Sequence, residues 1–235
     1  MNTFVITRRE LSRFFISPLT YFVGAIFLFC TGLIFFFTVA LHNIAALAWV
    51  FYIAAMVLLF VTPLLTMHLL STEAQSGTLE ILLTTPVHAW EVITGKFLAT
   101  FLMFITMLVP SLVYLLLLVF YGNPDIPVIL SGYLGLIFLG AVLISIGVLA
   151  SALSSRQMGA VAVAVVLSLL FWGMGRLGTV TGDPVGYIFT YLSVQKHFTD
   201  FIHGLVTTNN IVYFFSAISG ILFMATRILE ARRGY

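Results

Sequence analysis

The sequence predicts an all-α membrane protein of six transmembrane helices. Alongside them it predicts an N-terminal helix in the membrane interface, a short helix in a cytoplasmic loop, and an external amphipathic or re-entrant helix before the last span. Three observations predict this. Of 235 residues, 61% are hydrophobic and 8% charged, and mean hydropathy is +1.16, whereas soluble domains carry roughly 25% charged residues. The apolar residues fall in long charge-free runs. The ten Lys and Arg are distributed unevenly between the connections. Too few charges remain to cover a water-soluble globule, so a soluble enzyme, a disordered chain and a nucleic-acid binder are excluded.

A bilayer core of about 30 Å takes roughly 20 apolar helical residues. A charge at its centre costs roughly 2.5–3.5 kcal/mol on insertion scales, so charged residues fence the spans. From Phe14 to Thr72 there is no Asp, Glu, Lys or Arg. That run holds two spans, divided where polarity rises at His42 and Asn43, and they are expected near 19–41 and 48–70. The windows Phe97–Pro124, Ile126–Ser155, Gln157–Gly175 and Phe201–Thr226 are also free of charge. They place spans near 97–121, 128–152, 157–175 and 211–226. The fifth is the shortest and ends in Trp172, Gly173 and Gly175. A re-entrant course is its alternative, with the charge test favouring a full crossing. The first apolar stretch is expected to stay as a span rather than be cleaved, because it begins near Leu19, exceeds the usual signal length and lacks a small-residue cleavage site. Residues 1–235 read as a single membrane domain.

With six spans both termini share a side. Arg8, Arg9, Arg13, Lys96, Arg156, Arg227, Arg232 and Arg233 then lie together, and only Arg176 and Lys196 lie opposite. The positive-inside rule makes the first side, with both termini, cytoplasmic.

Three segments outside the spans carry a pattern. In residues 1–18, Phe4, Leu11, Phe14 and Phe15 share one helical face while Arg8, Arg9, Ser12 and Arg13 take the other. Such a helix lies in the membrane interface. The loop Ser71–Lys96 breaks at Gly77, and Thr78–Leu83 then reads as a short helix clustering Leu79, Leu82 and Leu83. Thr85 as N-cap and Pro86 as first helical residue are expected to launch the helix into span three. Leucines presented on the cytoplasmic side need a cover, either the membrane surface or a partner protein. Finally, the stretch from Arg176 to Asn210 begins with turn signals at Gly178, Gly182, Asp183-Pro184 and Gly186. It continues with Val194, Phe198, Phe201, Ile202 and Leu205 at helical spacing, opposed by Gln195, Lys196, Thr199, Asp200 and His203. This predicts an external helix at or dipping into the outer leaflet.

The residues offer no catalytic, cofactor-binding or metal-binding set. The nearest approach to a phosphate loop, Gly95-Lys96, has Trp90 where an earlier glycine is needed and Phe97 where Ser or Thr would hold Mg²⁺. The only cysteine, Cys30, lies in an apolar run. The histidines at 42, 68, 88, 197 and 203 are scattered, and the spacing of His197 and His203 does not suit ligands on one helix face. There is no nucleophile elbow. No ionisable residue lies within the spans except His68 near the end of the second, which reads as interfacial, so proton or sodium coupling lacks its groups. Pro63 and Pro110 are expected to bend spans two and three. Ala160, Ala164 and Ser168 form a small-residue stripe on span five, suited to close packing.

Several stretches nevertheless resemble one family, the permease subunits of ABC transporters of the ABC-2, or type V exporter, class. From Glu73 the chain reads E-x-x-x-G-T-L-E-x-L-L-x-T-P-V and then G-K at 95–96, similar to that class's coupling segment between spans two and three. The opening R-R-E-L-x-x-F-F-x-S-P-x-x-Y, Arg8 to Tyr21, resembles its elbow helix. H-F-x-x-F-x-x-G from His197 to Gly204, Tyr213 and the ending R-I-L-E-A-R-R resemble the gliding-motility permease subfamily. The resemblance implies that Glu73, Gly77, Thr78, Leu79, Glu80, Leu82, Leu83, Thr85 and Pro86 dock on a separate ABC ATPase subunit, and that Arg8, Arg9, Arg13, Phe14 and Phe15 belong to the elbow. The external helix, with Phe198, Phe201, Ile202 and Leu205, would stand near the outer exit. It further implies no cofactor in this chain, with ATP and Mg on the partner ATPase. A second permease, identical or related, would complete the complex in the inner (plasma) membrane, with an envelope protein as a further candidate partner and no nucleic acid. A membrane scaffold or assembly factor for an envelope complex is the competing function. A lipid-modifying enzyme lacks its catalytic set.

Overall fold

The computed structural model describes residues 2–42, 47–75, 88–121, 124–181 and 185–233. Among them there is no strand, and eleven α-helices follow in order. They are α1 (Asn2–Ile16), α2 (Pro18–His42), α3 (Ala48–Thr66), α4 (Ser71–Gln75), α5 (Ala89–Leu108), α6 (Leu112–Tyr121), α7 (Ile126–Leu153), α8 (Gln157–Thr181), α9 (Val185–Leu192), α10 (Val194–Ile202) and α11 (Thr208–Arg233). Six stretches are long and apolar enough to cross a membrane: Pro18–Val39, Ala48–Gln75, Ala89–Phe120, Ile126–Leu153, Gln157–Arg176 and Thr208–Ala231.

The bundle is built around α7, which packs against α3, α5, α8, α10 and α11. The apolar stretch of α7 is 78% buried, against 22–28% for those of α2, α8 and α11. The outer three therefore present most of their surface outward, as helices in lipid do. Close approach to α7 is made possible by residues without side chains. A Cβ at Gly132 would stand 2.2 Å from the Phe51 ring, and one at Gly140 would stand 2.2 Å from the Phe104 ring. In a bilayer, where water does not drive helices together, such small residues let dispersion contacts hold the bundle. The stripe Ala160, Ala164 and Ser168 is buried in the same way on α8.

The two span prolines act differently. Pro110 separates α5 from α6 by a 3₁₀ turn, Val109–Ser111. The carbonyl of Ser111 accepts from Tyr133 Oη at 2.7 Å, which ties the break to α7. Pro63 lies within α3, which continues for one more turn.

Four sequence expectations are corrected. The helix into span three starts at Ala89, with His88 extended (φ −72°, ψ 141°) as its N-cap, rather than at Pro86. The backbone N–H of His88 donates to Glu91 Oε2 at 3.3 Å, so Glu91 closes the helix start in place of Thr85. At the far end, no turn begins at Gly178, and the expected turn residues Gly182, Asp183 and Pro184 lie outside the described residues. Instead α8 runs through to Thr181, and α9 packs back against it. A Cβ on Gly178 would stand 2.6 Å from the Gly186 carbonyl oxygen, so this glycine serves a helix crossing, not a turn. The apolar face of α10 is covered by protein rather than by the outer leaflet: Phe198 and Phe201 are fully buried and Ile202 nearly so. Leu205 falls outside that face. The helix ends at Ile202, Gly204 takes a left-handed φ of 83°, and Leu205 is 58% exposed.

Candidate functional site

The chemistry-bearing residues gather at the end of the bundle where α1 lies against α5. The crossing of these two helices is set by Gly95. A Cβ there would meet Ile6 Cγ2 at 2.9 Å, and Thr7 Oγ1 donates to the Gly95 carbonyl at 3.2 Å. This contact turns Ile6, Thr7 and Glu10 inward and leaves Phe4, Arg8, Arg9 and Phe15 exposed, with Phe14 half-buried.

One residue beyond Gly95, Lys96 is 1% exposed. Its ammonium donates to Glu73 Oε1 at 2.8 Å, to Glu10 Oε1 at 3.5 Å and to the carbonyl of Leu69. Arg13 reaches the same Glu10 oxygen at 3.0 Å. A buried ammonium is tolerated only when paired and hydrogen-bonded, and two helices and the backbone between α3 and α4 supply the partners here. The cluster joins α1 to α4, to the end of α3 and to the second turn of α5.

The chain between α3 and α4 is broken at 67–70, and its backbone groups are held by neighbours. Ser151 Oγ on α7 accepts from the N–H groups of Leu70 at 2.9 Å and Ser71 at 3.1 Å, while the Leu69 carbonyl takes its proton from Lys96. Irregular backbone at this depth persists only where protein re-satisfies it. The result is a hinge in span two whose polar groups are distributed over α5 and α7.

Of the residues predicted to dock a partner, Glu73 lies on α4 and is drawn into this cluster. Gly77, Thr78, Leu79, Glu80, Leu82, Leu83, Thr85 and Pro86 lie outside the described residues. The segment that carries them is anchored on both flanks, by Glu73 before it and by the His88–Glu91 cap after it. Glu10 and Lys96 were not among the predicted site residues. Their signal was isolation, since Glu10 is the only acid before Glu73 and Lys96 the only cation between Arg13 and Arg156.

The whole chain can be placed at this point. Residues 11–229 match the family described as ABC-2 family transporter protein. The chain belongs to that family. No curated protein matches it closely enough to be named. As an ABC-2 permease it is a multi-pass membrane protein and the membrane subunit of an ABC transporter. Permeases of this family are ordinarily non-catalytic and have an ABC ATPase as partner.

At the opposite end of the ABC-2 permease, α10 seats on α7, α8 and α3. Ser131 Oγ donates to the Phe201 carbonyl at 2.7 Å, and Gly135 leaves room for Phe201. His197 is 2% exposed. Its Nδ1 lies 2.7 Å from Asn210 Oδ1 and its Nε2 lies 2.9 Å from the Tyr191 carbonyl oxygen. The Tyr213 ring stacks on it at 3.9 Å, and Asn210 Nδ2 donates to Asp200 Oδ2 at 3.1 Å. One imidazole thus ties α9, α10 and α11 together. His197→Ala is expected to lower stability by about 2 kcal/mol, since it leaves the buried Asn210 Oδ1 without its partner and opens a gap under the Tyr213 ring. A thermal-unfolding comparison of the purified proteins in one detergent checks this. An unchanged midpoint would show that the network contributes nothing net.

Proposed function

We propose that this permease couples ATP hydrolysis on a separate ATPase to outward movement of a substrate, or to force on an envelope partner. The segment 73–86 would be the docking element, and the Lys96 cluster its mechanical root. The observation that carries the reading is the placement of Lys96. Motion imposed on the segment after α4 pulls on Glu73, and through the buried ammonium it reaches α1 by Glu10 and the span-two hinge by the Leu69 carbonyl. One displacement at the segment is thereby delivered to three helices.

In this reading ATP and Mg are bound by the partner, and two permeases, identical or related, pack side by side in the membrane. The charge distribution supports an orientation in the plasma (inner) membrane with both termini cytoplasmic. The α1 helix serves as the interfacial elbow, its exposed Phe4 and Phe15 facing lipid. The ending Arg227–Arg233 supports the likeness to the gliding-motility permeases within the family.

The test is affinity purification of the complex from native membranes. A stoichiometric ABC ATPase is expected with the wild-type chain. Leu82→Asp combined with Leu83→Asp is expected to reduce ATPase recovery at least about tenfold, a loss of roughly 1.4 kcal/mol or more, with membrane insertion intact. Full ATPase recovery by the double variant would overturn the docking assignment.

A further inference from the structure

Beside the Lys96 cluster, a half-open cavity of about 310 Å³ lies between the end of α1, the first turn of α2 and the hinge of span two. By the roughly 30 Å³ that a water occupies in the liquid, it holds a group the size of about ten waters. Its rim is polar and carries both signs. Glu10 and Arg13 stand on one wall, His68 and Thr72 on another, and Ser17 and Thr20 of the α2 start on a third. Its floor is apolar, formed by Phe14, Leu19, Leu65 and Leu69. Phe14, Leu19 and Leu65 continue into a separate apolar cluster with Val23, Val61, Met103 and Met107.

Three features specify the occupant. The Glu10 carboxylate is 8% exposed, and the hydrogen bonds it accepts from Arg13 and Lys96 both go to Oε1. Among the described residues Oε2 has no such partner, although Glu10 lines the cavity. That leaves a carboxylate oxygen beside the cavity able to accept from an ammonium donor, and charge-assisted bonds of this kind are the stronger ones. On the same wall Arg13 keeps half its side chain exposed, and the His68 side chain, which also lines the cavity, makes no hydrogen bond among the described residues. A guanidinium with an imidazole on the same cavity favours a phosphate. Finally, the apolar floor leads away from the polar rim between spans, and the neighbouring outward side chains Phe15 and Phe22 are exposed.

We propose that this cavity is a binding site for a phospholipid with a primary-ammonium, zwitterionic headgroup. The ammonium would sit on Glu10 and the phosphate on Arg13 and His68, with the acyl chains leaving past Phe14 and Leu19 toward the exposed Phe15 and Phe22. The lipid is structural, not cargo. It wedges α1 against the hinge and so sets how firmly the Lys96 cluster is held. The inference rests on the reading of this end as a membrane interface. It does not require the docking assignment, because lipid retention and ATPase association are separate readouts.

The experiment uses the full chain purified in mild detergent, alone and with its ATPase. Phosphatidylethanolamine, phosphatidylcholine and phosphatidylglycerol of identical acyl composition are supplied, and retained lipid is read by native mass spectrometry. Retention of the ethanolamine lipid is expected to exceed that of the other two by about tenfold, the worth of one charge-assisted hydrogen bond. Glu10→Gln is expected to bring the ethanolamine-to-choline ratio close to one. Arg13→Ala is expected to lower retention of all three. Leu19→Trp, which fills the cavity without touching any ion pair, is expected to abolish retention and serves as the variant that spares the cluster. Equal retention of the three lipids by the wild type would overturn the proposal, as would undiminished retention in Leu19→Trp. Displacement of the lipid by soluble phosphoethanolamine at equal concentration would overturn the lipid as the source of the headgroup.

Discussion

Lys96→Met is expected to destabilise the protein by about 3–5 kcal/mol and to uncouple it from its ATPase. Methionine keeps the apolar stem but removes the ammonium, leaving the Glu10 and Glu73 carboxylates and the Leu69 carbonyl facing one another without their shared donor. Removing one partner of a buried ion cluster leaves uncompensated charge, and that is the source of the large cost. Neutralising the whole cluster is cheaper than breaking it. Lys96→Met with Glu10→Gln and Glu73→Gln is therefore expected to recover most of the stability. Coupling should not return, because the polar link from α4 to α1 and the hinge is still missing. Thermal unfolding reads the first effect, and permease-dependent ATP hydrolysis by the reconstituted complex reads the second. If the triple variant restored both, Lys96 would be a packing device only, and transmission would have to run through another contact.

The same residue shows what the sequence made legible. Charge-free runs located all six long helices, because charge is costly in lipid and the chain concentrates it elsewhere. That rule set the edge of span three at Lys96, while the cap reading set the start of its helix at Pro86. Both Glu91 and Lys96 lie in the first two turns of a helix that starts at Ala89, Glu91 as part of the His88 cap and Lys96 paired with carboxylates. A charge fences a span only when unpaired, and pairing is a tertiary fact. Glu10 illustrates the limit from the other side. On its own helix it lies among arginines, and nothing local turns it inward; the close approach of Gly95 does that. The glycine at 178 was read by its commonest use, a turn, where the fold uses its missing side chain for a helix crossing. At the α10 end, periodicity found the apolar face from Val194 to Ile202 but carried it too far, to Leu205, and could not say whether lipid or protein covers it.

Gly147→Val is expected to be the most disruptive change in the centre of the bundle. At this position a Cβ would stand 2.1 Å from Thr66 Oγ1 and 2.6 Å from Thr66 Cβ. Rotating the threonine moves the hydroxyl but not the Cβ, so the whole end of α3 must shift. Overpacking of a filled core costs about 1–3 kcal/mol where neighbours yield, and the upper end is expected because backbone must move. The site also has a functional consequence. Ser151 follows Gly147 by four residues on α7, on the same helical face, and its hydroxyl holds the Leu70 and Ser71 amides of the hinge. Pushing α3 away lengthens both hydrogen bonds, so coupling should weaken along with stability. Gly147→Ala is expected to show the same effects in smaller degree. Gly220→Ala is the contrast. A Cβ there meets nothing within 4 Å, and alanine in place of a mid-helix glycine is worth roughly 0.5–1 kcal/mol in favour of the helix. Unfolding midpoints of the three variants should therefore rank Gly220→Ala at or above wild type, Gly147→Ala below it, and Gly147→Val lowest. A Gly147→Val protein as stable as wild type would mean that α3 and α7 do not cross at Thr66, and the hinge would lose its support on Ser151.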